Sequence, residues 1–168
     1  ALKEIKFNDN LKKIDDFGFE LVDTKKLVLP KNLEYLGEWA FEWSNIEELV
    51  INDKLKKIGD YAFKSNFIKN INIPEGVEYI GEGAFAGCSS LQNIIFDQSC
   101  KMQEINCWTF YNCISLISIS LPDSVTQILD NAFRGCLNLE KVKFPPFLEK
   151  IGNNAFFESD RIKELKFP

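Results

Sequence analysis

The sequence contains no histidine. That excludes Ser-His-Asp and Cys-His nucleophilic arrangements and any His-ligated metal. Its five cysteines are an odd number and form no C-x-x-C pair, so neither a zinc site nor a thioredoxin-like site has support. No Gly-rich phosphate loop occurs, and no cofactor or metal is implied. Lys and Arg form no run, so the electrostatic footprint of a nucleic-acid binder is missing. No apolar stretch approaches the roughly 20 residues needed to span a membrane, which argues against membrane insertion. A signal peptide is missing too, but the chain begins with Ala1 rather than Met, so this says little about compartment. The charge present, 27 % of residues with a formal net charge of −5, is ordinary.

What the sequence has is a repeat. An apolar pair, a turn residue, a second apolar pair and usually a Gly (replaced by Asp15, Asn106 and Leu129) lead to Ala-Phe or its equivalent: Gly18-Phe19, Ala40-Phe41, Ala62-Phe63, Ala84-Phe85, Thr109-Phe110, Ala132-Phe133 and Ala155-Phe156. Successive Phe are 22, 22, 22, 25, 23 and 23 residues apart. A period of this size marks a solenoid, whose units are too small to bury their own cores and must stack. The first apolar pair (Leu27/Leu29, Leu49/Ile51, Ile71/Ile73, Ile94/Phe96 and so on, from Ile5/Phe7 to Leu165/Phe167) alternates as a strand does. A turn former ends each one, and five of the six Pro stand there, from Pro30 to Pro168. The Gly after the second pair suits a sharp bend or a positive φ, so Leu129, which replaces it once, predicts local distortion. The Ala-Phe pair predicts a short helical or 3₁₀ turn and a column of stacked aromatic rings. Residues 1–168 read as one solenoid of about seven full repeats plus an eighth strand.

The string I-G-x-x-A-F-x-x-C-x-x-L-x-x-I-x-L-P, as in Ile80 to Phe96 and Ile128 to Pro145, resembles the BspA-like class of leucine-rich repeats over essentially the whole chain. The resemblance implies a right-handed solenoid with a parallel β-sheet on one side and short irregular, 3₁₀ or helical turns on the other. It also implies a cell-surface or secreted protein of a bacterium or protist, with adhesion to host proteins as the associated role.

Cys88, Cys113 and Cys136 share one column with Val22, Ser44, Asn66 and Ser159, which reads as a small buried slot facing backbone polar groups. Stacked Cys have parallel Cβ vectors that suit disulfides poorly. Cys100 and Cys107, around the one expanded unit, leave a loop disulfide open. An acidic column (Asp16, Glu38, Asp60, Glu82, Asp130) reads as a divalent-cation ridge, an acid pair or, with most weight, acids favoured by the free N–H groups of a helical turn. An enzyme is not expected.

Two surfaces are candidates for contact. Outward positions of the strand layer are charged at both ends, while the middle carries Asn70, Asn72, Asn93, Ile95, Ser118 and Ser120, with Val28 and Val50 nearby. Exposed aliphatic residues on a sheet face mark contact surfaces, although they are also ordinary strand formers. The position before Ala-Phe reads Phe17, Trp39, Tyr61, Gly83, Trp108, Asn131, Asn154, a ridge in which four of the first five are aromatic. Such residues either serve as interaction hot spots or stack to shield the solenoid's side. The expected partner is a protein; carbohydrate stacking stays open. The uncapped ends at Leu2 and Pro168 read as part of a longer array, or as ends covered by another copy or partner. The reading is a non-enzymatic adhesion or protein-binding module acting through the strand face. The alternative is an intracellular scaffold packing against neighbours in a larger, end-to-end or side-to-side assembly.

Overall fold

The computed structural model describes residues 2 and 4–167. Every coil contributes one longer strand and one two-residue strand, so the solenoid carries two series of parallel ladders. The longer strands are β2 (Lys26–Val28), β4 (Glu48–Val50), β6 (Asn70–Ile73), β8 (Asn93–Phe96), β10 (Ser118–Ser120), β12 (Lys141–Lys143) and β14 (Glu164–Lys166). The short series is β1 (Lys13–Ile14), β3 (Tyr35–Leu36), β5 (Lys57–Ile58), β7 (Tyr79–Ile80), β9 (Glu104–Ile105), β11 (Gln127–Ile128) and β13 (Lys150–Ile151). The second apolar pair of the repeat thus builds a ladder of its own, which the sequence reading had not assigned. Residues 4–8, expected as the first strand, join no ladder; Leu2 instead makes an isolated bridge to Thr24.

The longer strands form because their alternate residues point inward. Leu27, Leu49, Ile71, Ile94, Ile119 and Val142 are all buried, and their flanking residues face water. Each strand is ended by an i→i+3 turn: the N–H groups of Leu33, Val77 and Val125 donate to the carbonyls of Pro30, Pro74 and Pro122 at 3.0, 3.1 and 3.1 Å. Pro168 lies outside the described residues. The spine is continuous. Phe19, Phe41, Phe63, Phe85, Phe110, Phe133 and Phe156 stack ring on ring, with centroids 5.2–5.9 Å apart and interplanar angles of 3–13°. That spacing follows from coils set about 4.8 Å apart by their ladders.

The Ala-Phe segment is a turn, not a helix. Among the described residues there is no helix at all. Its N–H groups donate to the next coil instead: Phe17, Phe19 and Leu21 to the carbonyls of Glu38, Ala40 and Glu42, all at 2.9 Å, and so on along the solenoid. This third set of coil-to-coil bonds depends on left-handed residues at two columns. The residue before Ala-Phe has φ between 50° and 60° in all seven coils, and the residue four places later lies between 54° and 73°. The repeated Gly two places earlier has a different purpose. A Cβ on Gly59 would come within 2.5 Å of the Gly37 carbonyl carbon, so the column demands close approach of backbones rather than positive φ. Leu129 keeps the coil-to-coil bond of that column: its N–H reaches the Ile105 carbonyl at 2.9 Å, as that of Gly59 reaches Leu36.

Both strand series are interrupted once. The short series breaks between β7 and β9, where the 25-residue unit falls. The longer series breaks between β4 and β6, with no insertion to account for it.

Candidate functional site

The strand face places most of the sequence-predicted contact residues together. In register, Asn70 faces Asn93, which faces Ser118; Asn72 faces Ile95 in the adjoining row, and Ser120 stands two residues beyond Ser118. Val28 faces Val50 on the other side of the break. Val28, Val50 and Ile95 expose 42, 49 and 62 % of their surface. Asn70, Asn72, Asn93 and Ser118 are exposed and Ser120 half-buried. The Asn93 amide donates to the Asn70 side-chain oxygen at 2.8 Å, fixing the two as a short amide ladder.

The break between β4 and β6 opens a groove of about 470 Å³ through this face, between Leu49–Ile51 on one bank and Lys69, Asn70 and Asn72 on the other. Around Asn66 the coils are bonded differently from the preceding pair. In the preceding pair of coils the Thr24 N–H donates to the Ser44 carbonyl at 3.1 Å. In this pair the equivalent Ile46 N–H is taken by the Asn66 side-chain oxygen at 2.9 Å. The Asn66 amide meanwhile donates to the Phe41 and Phe63 carbonyls at 2.8 and 3.0 Å. A longer side chain thus stands between the coils, and the last backbone bond across the gap is Lys69 N–H to the Glu47 carbonyl, at 3.3 Å. Lys25 and Lys69 both bond Glu47 beside the groove, which holds its carboxyl below the ordinary value.

The aromatic ridge is shorter than its sequence pattern. Phe17 stacks on Trp39 (5.0 Å, 3°) and Trp39 on Tyr61 (5.4 Å, 14°). There it stops, because the next coil has Gly83, where a Cβ would lie 2.3 Å from the Tyr61 ring. Trp108 is not brought into the stack and packs edge-on against Tyr111 at 5.0 Å. Inner ring faces are covered by their neighbours, so the ridge offers ring edges; Phe17 and the separate Trp43 are the exposed members. Tyr61 donates its hydroxyl to Glu82, and burial first, then that bond and the negative charge around it, raise its pKa well above the ordinary value.

The acidic column ties coils together. Oδ1 of Asp16, Asp60 and Asp130 accepts the N–H of Glu38, Glu82 and Asn153 in the next coil at 2.9, 2.9 and 2.8 Å. The expected placement at helical N–H groups is replaced by this bond, since no helix is present to offer them. Among the described residues no three His, Cys, Asp or Glu side chains gather as metal ligands would. All five thiols are free, Cys100 and Cys107 included. Sγ of Cys88, Cys113 and Cys136 donates to the carbonyl of the spine Phe one coil back, each at 3.3 Å. Ser44 and Ser159 do the same at 3.1 and 3.0 Å, so the slot is the polar one that its residue types indicated. Burial pushes the Cys88 and Cys136 thiols up to about 12.

Sequence reasoning missed the groove and the two left-handed columns. The columns had a readable signal in Gly83, Gly87, Asn112, Asn131, Gly135 and Asn154; Phe17, Trp39, Tyr61 and Trp108 masked it by occupying the same positions.

The model of the BspA type leucine rich repeat region matches residues 1–104 and 56–168, in six copies. Among solved structures, the leucine-rich-repeat protein of T. pallidum is similar at 26 % identity and a TM-score of 0.79, covering 89 % of this chain and 71 % of that one. A leucine-rich cell surface protein from Faecalibacterium prausnitzii is similar at 25 % identity and a TM-score of 0.71. The match covers 95 % of this chain but 52 % of that protein, so the chain spans about half its length. The pneumococcal vaccine antigen PcpA shares the fold at 18 % identity, with a TM-score of 0.60, 94 % of this chain and 56 % of that one covered. No curated protein matches the chain. No helix among the described residues is long and apolar enough to cross a membrane. With the repeat, the stacked coils and the family model in agreement from end to end, the chain belongs to the BspA-type leucine-rich-repeat family.

Proposed function

We propose that this chain is a non-enzymatic protein-binding module of a cell-surface or secreted protein, and that it engages its partner through the outward face of the longer strands. The observation that carries the reading is the uncharged centre of that face. Exposed Val50 and Ile95 stand among Asn70, Asn72, Asn93, Ser118 and Ser120, and no charged side chain occupies an outward position of β6, β8 or β10. Depletion of charge around apolar anchors is the composition of an interface core. The similar F. prausnitzii protein is described as a cell surface protein, which supports the compartment.

A second reading, a scaffold that packs sideways in a larger assembly, is favoured by the turn edge, where Phe17, Leu21 and Trp43 are exposed. The two are separated by the double variant Val50→Lys/Ile95→Lys, assayed beside native protein against immobilised extracellular proteins. The strand-face reading expects binding to be lost with the fold intact by circular dichroism. Undiminished binding sinks it, and binding lost on Trp43→Ser instead transfers the role to the turn edge.

A further inference from the structure

The two ends of the strand face handle charge differently. At one end Lys26 stands in register with Glu48, and the two are paired at 3.3 Å. At the other end Lys143 stands in register with Lys166, and Lys141 with Glu164. Glu164 feels the charge of Lys141 but makes no ion pair with it. It pairs along its own strand with Lys166 at 2.8 Å, which lowers its carboxyl pKa. Among the described residues neither Lys141 nor Lys143 has an ion-pair partner, and both are exposed. Like charges directly opposite on adjacent strands cost stability, so the fold gains nothing from this arrangement. Beside them lie the hydroxyls of Ser118 and Ser120, in register with Lys141 and Lys143. With Lys166 and Glu164 they border a groove of about 240 Å³ that carries three lysines against one carboxylate. On a chain of net charge −5 this is a local cationic surface.

We infer that this end of the strand face receives an acidic segment of a protein partner. Carboxylates of that segment meet the Lys141 and Lys143 ammonium groups and accept from the Ser118 and Ser120 hydroxyls, while its apolar side chains lie toward Ile95. The inference rests on the strand-face reading and names the chemistry of its partner. A peptide fits better than a sulfated polysaccharide because the cationic surface is short. It continues into amide and aliphatic groups at Asn93 and Ile95, whereas a uniform polyanion would need cations along the whole face and would meet Glu48 instead.

The test uses a fluorescent peptide of alternating Glu and Val, its Gln/Val counterpart, and a sulfated oligosaccharide, each titrated against the native chain by anisotropy. The Glu/Val peptide is expected to bind, more weakly as salt rises toward about 0.3 M, and the Gln/Val peptide to bind less. Lys141→Gln/Lys143→Gln is expected to weaken binding roughly fivefold, consistent with two exposed charge pairs. Lys143→Glu is expected to pair with Lys166 and raise the melting temperature while weakening the peptide further, a split that a merely structural lysine would not give. Native-like affinity of the double Gln variant overturns the inference. If Ile95→Ser still weakens the peptide in that case, the strand-face reading survives; if Ile95→Ser also binds as native does, both fall. A sulfated oligosaccharide that binds more tightly and displaces the peptide overturns the choice of partner.

Discussion

At the scale of single residues, the cost of this repeat is concentrated in backbone conformation. Left-handed φ disfavours residues with a Cβ by about 1–2 kcal/mol, yet bulky residues occupy many of these positions here. For Phe17, Trp39 and Tyr61 the ring stack offsets part of that cost. Leu21 has no such compensation: its φ is 59° and two-thirds of its surface is in water. In the same column Gly87 and Gly135 take φ of 70° and 73°. Leu21→Gly should therefore stabilise the fold by about 0.5–1 kcal/mol, the relief of strain less the extra chain entropy of Gly. A urea midpoint that rises at unchanged slope bears this out, and one that falls shows that Leu21 makes contacts worth more than its strain.

Among elements, one buried side chain bridges the coils at the step where β4 and β6 part. Asn66 is fully buried and bonds Ile46, Phe41 and Phe63 at once. Asn66→Ala strands the buried Ile46 N–H and the Phe41 carbonyl, while the Phe63 carbonyl keeps the Cys88 thiol, and the cost should be about 2–4 kcal/mol by chemical denaturation. Asn66→Ser should cost less than Ala, because Ser44 and Ser159 already bond the equivalent spine carbonyl from the same column. Equal losses for the two variants would show that cavity formation, not hydrogen bonding, sets the cost.

Across the whole molecule, buried thiols make stability fall above about pH 9. Cys88 and Cys136 titrate near 12 and Cys100 near 11 in the fold, against 9.0 when solvated, with burial the leading cause in each. The folded value is the raised one. Below pH 9 both states hold the proton and the full stability is present; above it the unfolded chain ionises first and stability falls as pH climbs toward 11–12. The loss approaches about 1.4 kcal/mol per pH unit for each such thiol. Urea midpoints measured from pH 8 to 10.5 should fall, and more gently for Cys88→Ser/Cys136→Ser, since Ser fits this slot and does not ionise. A double variant that declines as steeply as native would show that the loss comes from elsewhere.

The sequence by itself determined the period, the stacked Phe spine, the polar slot of Cys and Ser, and the outward strand columns with their uncharged centre. These follow from side-chain size and alternation within one unit, and such local rules repeat in every coil. Only the tertiary structure decided what depends on neighbouring coils. It placed Lys143 opposite Lys166, ended the ridge at Gly83, opened the groove between β4 and β6, and turned the expected helical segment into a third set of coil-to-coil bonds. The physical reason is common to all four. Each depends on the register and separation of adjacent backbones, fixed by hydrogen bonds between residues some 20 to 25 positions apart. Residue types in one unit do not contain that alignment.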